Sequence, residues 1–212
     1  MKEGQKRGLV ALGTLLAVAG CVFAYLEVFT KGVDRLPERP CAGAVDRDLA
    51  VRALPSARTA EERGRLMRMS EDLAFFCYVS TSDSTISGEA ESADSSVATW
   101  RRHYAHRLSG KTVEVSAGDV HAISTPRLAT VYVPCTLPSQ KRKAAEAYSL
   151  SAEARTIGTT RAKGDELRQV LVDFAYQLAR HAYRAGECQE PRSFPESLPR
   201  LSEGRVLDDS LD

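Results

Sequence analysis

Between Gly8 and Leu26 the sequence carries no charged side chain. At about 1.5 Å per residue, a stretch of that length just crosses a hydrocarbon core of about 30 Å. We read residues 8–29 as a single transmembrane helix with a soft end, Glu27-Val28-Phe29, and with Tyr25 at the interface depth where an amphipathic ring is useful. Every other apolar run is short and broken by charge. The chain therefore divides into a short cytoplasmic tail (1–7), the span (8–29), a linker with Pro37 and Pro40 (30–40), an extracytoplasmic domain (41–200) and a polar C-terminal tail (201–212).

Charge alone does not orient the span, because Lys2, Lys6 and Arg7 precede it and Lys31, Arg35 and Arg39 follow it. Cysteine usage decides better. Cys41, Cys77, Cys135 and Cys188 all follow the span, and an even set in a non-cytosolic domain points to two disulfides. The domain is accordingly expected outside the plasma membrane, held by an uncleaved signal anchor. A rival reading takes Leu16-Ala17-Val18-Ala19-Gly20-Cys21 as a lipobox with a lipidated Cys21; the apolar run through Leu26 argues against it, and both readings tether the same domain to the same face. A formal net charge of +1 lacks the Lys and Arg surplus that phosphate neutralisation requires, so no nucleic-acid partner is expected. Asn is absent, so there is no N-x-S/T acceptor.

Within the domain, Asp46 to Leu54 reads as a small helix capped by Asp46 and ended by Pro55, and the charged stretch Arg58 to Arg68 reads as exposed and irregular. Leu73 to Val79 has the aromatic, partly β-branched profile of a buried strand. A hairpin loop, Ser80 to Thr85, leads to an alternating strand, Ile86 to Ser92. Asp94 and Ser95 can cap a helix that aligns Val97, Trp100, Tyr104 and Leu108 and stops at Gly110. The second half repeats this order. Thr130 to Cys135 is a strand and Leu150 to Thr156 resembles the Ile86 segment; the amphipathic helix from near Asp165, with Leu167, Val170, Leu171, Phe174, Leu178 and Ala182 in one stripe, ends at Gly186. Thr112 to Val115 and Val120 to Ile123 supply further strands. The expected fold class is α+β, an antiparallel sheet with helices on one face, preceded by one transmembrane helix. Its repeated order is either a degenerate internal duplication or a chance match. Three disulfide connectivities are open; sequential pairing, Cys41 with Cys77 and Cys135 with Cys188, suits the repeated layout best. Each closed loop would contribute on the order of 3 to 4 kcal/mol.

The connector Glu27-Val28-Phe29-Thr30, Pro40-Cys41, Asp46-Arg47-Asp48-Leu49, Phe76-Cys77, Val131-Tyr132-Val133-Pro134-Cys135 and Phe174-Ala175-Tyr176-Gln177-Leu178 span nearly the whole chain. On these residues it resembles the uncharacterised actinobacterial, Streptomyces-type single-pass membrane proteins with a four-cysteine extracytoplasmic domain. The resemblance implies a tether, an external domain and paired cysteines, and it carries no catalytic residue.

Candidate chemistry is thin. His103-x-x-His106 would bring two imidazoles to one side of the Trp100 helix, with His121 as a third ligand, but a solvated basic face shared with Arg101, Arg102 and Arg107 is the simpler account. His181 has no evident partner in sequence, and the serines of 80–96 lie in no nucleophile motif. Asp83, Glu89, Glu91 and Asp94 lack the spacing of a calcium loop, and a strand presenting Glu89 and Glu91 to solvent explains them. No catalytic residue, metal ligand or cofactor is assigned. The expected function is a non-enzymatic binding or interaction module, whose partner is a protein or envelope ligand in addition to the membrane that anchors it. The alternatives are an envelope enzyme assembled from scattered residues such as His103, Asp119 and His121, and a sensor or accessory subunit of a membrane complex.

Overall fold

The computed structural model describes residues 3–105, 112–140 and 147–207. Helix α1 (Glu3–Phe29) contains the segment Leu12–Phe29, of mean hydropathy 1.9 and unburied by the rest of the chain, long and apolar enough to cross a membrane. It does not end in a free linker. Thr30 caps the carbonyl of Leu26 at 2.6 Å, Lys31 pairs with Glu27 at 2.6 Å, the Arg35 guanidinium covers the carbonyl of Glu27, and the amide of Gly32 donates to Ala57 at 2.7 Å. Val33, Leu36 and Pro40 are buried, so the segment read as a linker is the first layer of the domain.

After α2 (Pro40–Gly43) and α3 (Arg47–Ala53), eight strands form one antiparallel sheet: β1 (Glu61–Met69), β2 (Asp72–Ser80), β3 (Ser84–Ala93), β4 (Thr112–Ala117), β5 (Val120–Ser124), β6 (Leu128–Pro134), β7 (Ser149–Gly158) and β8 (Arg205–Leu207). Their order is β1-β2-β3-β7-β6-β5-β4-β8. The long helix α5 (Gly164–Ala185) crosses the first face, with Phe174 and Leu178 against Gly88. With α3 it seals Phe75, Cys77, Val79, Ile86, Val131, Leu150 and Ala152 from water. An α+β domain with an antiparallel sheet is thus what the structure shows.

Several details differ from the sequence reading. Arg58 to Arg68 is neither irregular nor exposed throughout: most of it is the edge strand β1, which alternates exposed and half-buried residues and pairs residue for residue with β2. The polar tail begins too early at 201: Leu201 is buried, and Arg205–Leu207 pair with β4 as an edge strand. Helix α4 (Val97–Ala105) lies on the second face, not beside α5. Trp100 and Tyr104 pack there on Ile123 and Tyr132, and the Trp100 indole N–H donates to the Thr130 hydroxyl at 3.2 Å. The first face over β3, β7 and β6 is already occupied by α5, so the large aromatic payload of α4 is buried on the other side. The α4 amide of Thr99 is capped by Ser96 rather than by Asp94 or Ser95. His106, Arg107, Leu108 and Gly110 lie outside the described residues.

The two similar segments pair with each other. The register places Ile86 opposite Thr156, Glu89 opposite Glu153 and Ser92 opposite Leu150, so equivalent positions are arranged symmetrically about the Glu89–Glu153 pair. A local two-fold through that pair relates β1-β2-β3 to β5-β6-β7. Such an axis keeps faces, and the helices break it by lying on opposite ones. Cys41 is bonded to Cys77 and Cys135 to Cys188, with Cα atoms 5.3 and 5.2 Å apart; Cys21 is free.

Candidate binding face

Strand pleating sends alternate residues of β1, β2, β3 and β7 to the second face. Among the described residues, helix α4 roofs the β6-β5-β4 half of that face and no element covers the other half. The register lays out its rows: Arg63, Tyr78, Ser87 and Arg155 form one, and Arg65, Phe76, Glu89 and Glu153 the next. Tyr78 is 42% exposed and Ile157 58%, and Arg63, Arg65, Arg155 and Glu91 are exposed as well. A shallow dent of about 30 Å³ on this face is bounded by Tyr78, Ser87, Glu89, Glu153 and Arg155.

Glu89 and Glu153 face each other across the centre of the sheet because the register makes them partners. The sequence places Glu89 and Glu91 toward solvent; Glu91 is exposed, whereas Glu89 is half-buried. A hydrogen bond with Glu91, then burial, then the charges of Glu91 and Glu153 push the Glu89 carboxyl up to about 7, against the pull of Arg155. Near neutral pH this group is therefore partly protonated and can donate as well as accept. The Tyr104 hydroxyl donates to Glu153 at 3.4 Å, joining the acidic row to the edge of α4.

A buried ion cluster fixes α4 in place. Glu114, 5% exposed at the side chain, accepts from Arg101 Nε at 2.8 Å and from Arg205 at 2.8 Å, and His121 Nδ1 lies 3.3 Å from it. Burial raises the Glu114 carboxyl, but hydrogen bonds with His121, Arg101 and Arg205 outweigh it and hold the group at about 2. Arg101 is thus committed to this cluster rather than to a solvated basic face, and Arg102 remains exposed. Sequence reasoning missed Glu114, although alternation along Thr112 to Val115 places it opposite Val113 and Val115.

The scattered residues of the enzymatic alternative take separate partners. His121 joins Glu114, Asp119 pairs with Arg192, and His103 is exposed and edge-on to Tyr104. His181 packs its ring on Phe75 at 4.5 Å, where burial, then Arg184 and Arg39, lower its pKa. Among the described residues no group of three or more His, Cys, Asp or Glu side chains is placed to hold a metal ion. No family model, curated protein or solved structure matches the chain.

Proposed function

We propose that this chain is a membrane-tethered, extracytoplasmic binding module that engages a partner protein through the open half of its second sheet face. The observation that carries this reading is the uneven roofing of the sheet: α4 covers one half, and the other presents Tyr78, Phe76 and Ile157 among charges of both signs. Small-molecule sites are concave and typically occupy about 300–1,000 Å³, far more than the 30 Å³ dent here. An exposed surface with aromatic residues and arginines together instead matches the composition of a protein interface, with the carboxylates suited to its polar rim. The external placement is supported by two disulfides, which persist in oxidising compartments, and by the apolar helix that precedes them.

The test is a photo-crosslinking amino acid placed at Tyr78 or Ile157 of the full chain in its own membrane. A single discrete adduct from these positions is expected, weakened by Arg155→Glu and absent from a probe at the exposed Glu187. Equal adducts from Tyr78 and Glu187, or none from the open face, would overturn the reading.

A further inference from the structure

On the opposite side of the sheet, the C-terminal segment folds back and closes a cleft of about 330 Å³ against the first turns of α5. Three guanidinium groups from three parts of the chain line it: Arg52 of α3, Arg168 of α5 and Arg200 ahead of β8. The walls are fixed, because the amide of Leu201 donates to the Gln169 side chain at 3.0 Å and Gly204 sits against Val113 and Glu114. The side chain of Arg168 is only 6% exposed. It donates to the Ser124 carbonyl at 3.0 Å and to Asp165 at 3.2 Å, but its Nε has no acceptor among the described residues. A buried charged donor without an acceptor is an unfavourable arrangement, and it marks this wall of the cleft as electropositive. The guanidinium groups of Arg52 and Arg200 make no hydrogen bond or ion pair among the described residues. Helix α5 opens here without a side-chain cap, so its first amides add positive potential.

Two carboxylates also line the cleft, Asp165, whose side chain is 84% exposed, and Glu166; Asp173 nearby feels both Arg52 and Arg200. The lining itself sets three arginines against Asp165 and Glu166, a surplus of one positive charge, which suits a single negative charge and opposes a dianion. Val113, Leu201 and Val206 supply an apolar wall, with Val206 48% exposed. We propose that this cleft binds a small monoanionic carboxylate that carries an apolar group, its head toward Arg52, Arg168 and Arg200 and its body against Val113, Leu201 and Val206. The site is independent of the open sheet face.

The probe is benzoate, followed by ligand-observed NMR with the full chain in phosphatidylcholine nanodiscs. Benzyl alcohol and phenyl phosphate serve as its neutral and dianionic analogues. Saturable benzoate binding at millimolar concentration or tighter is expected, with weaker phenyl phosphate binding and no saturable benzyl alcohol binding. The double variant Arg52→Gln/Arg200→Gln should weaken benzoate by about tenfold or more at unchanged melting temperature, while Arg155→Glu on the open face leaves it intact. Absence of saturable benzoate binding, undiminished binding to the folded double variant, or benzyl alcohol binding as well as benzoate would each overturn the proposal. If the double variant melts early, the comparison of the three probes on the unaltered chain still decides.

Discussion

Glu114 and Glu89 are both glutamates on the second face of one sheet, yet their surroundings drive them in opposite directions. Glu114 is held at about 2 against an ordinary 4.5, which corresponds to roughly 3 kcal/mol of folding stability. A depressed carboxyl contributes fully above its unfolded value, so the contribution is present at pH 7 and lost as pH falls from 4.5 toward about 2. Glu114→Gln should therefore lower stability by about 2–3 kcal/mol at pH 7, and the gap to the unaltered chain should close on acidification. Denaturant unfolding at pH 7 and pH 3 with disulfides intact measures both; an equal gap at the two pH values would refute it. Glu89 is raised to about 7. Here the folded state holds a proton that the unfolded chain releases, so stability falls as pH climbs from 4.5 through about 7. Glu89→Gln should raise the melting temperature at pH 8 and leave it unchanged at pH 4, and a variant less stable at pH 8 would contradict the account.

At the scale of elements, the edge strand β1 shows how closely the disulfide layer is laid on the sheet. Gly64 pairs with Cys77, and Cys41, bonded to Cys77, crosses directly above it with left-handed φ of 59°. A Cβ at Gly64 would lie 2.4 Å from the Cys41 carbonyl carbon, and backbone cannot step aside as a side-chain tip would. Gly64→Ala is expected to cost about 3 kcal/mol, the upper end for overpacking. Leu66→Ala, two residues along and 39% exposed, should change stability by no more than about 0.5 kcal/mol. Thermal unfolding of the two variants checks the contrast, and equal losses would show that close contact with Cys41 is not the cause. β1 was not legible in the sequence because an edge strand needs only one pairing and no buried stripe; its Arg and Glu residues follow the rule that edges are blunted with charge. The strands β2, β3, β6 and β7 and the helix α5 were legible, since period-two and three-to-four spacing report burial directly. The face chosen by α4 was not. Its signal lay on another element: β6, with Val131, Tyr132 and Val133 all buried, is covered on both sides, and a continuous apolar run is the mark of such a strand. The candidate face was readable only in part. Tyr78 and Glu89 alternate outward from their strands, but the opposition of Glu89 to Glu153 depends on a register between distant segments.

For the whole molecule, what matters is how the tether meets the domain. Glu27, Lys31, Gly32 and Arg35 tie the end of α1 to itself and to Ala57, and Arg58 lies over the Phe29 ring at 5.0 Å. A domain joined this way has no free spacer between helix α1 and its first buried layer, so its sheet faces keep one attitude to that helix. The two disulfides stiffen the same body: Cys41–Cys77 pins the entry segment to the sheet, and Cys135–Cys188 pins the end of α5 to β6. Their compartment is what the whole arrangement depends on, because glutathione and thioredoxin keep cytosolic thiols reduced. Membranes holding the full chain, denatured without reductant in the presence of a thiol-alkylating mass tag, should show one reactive thiol, that of Cys21, and five after reduction. Blocking Cys21 by Cys21→Ser should leave none before reduction, which separates a free anchor thiol from a partly reduced domain. Five tags before reduction would put the domain in a reducing compartment, and would remove the ground for seeking its partner outside the cell.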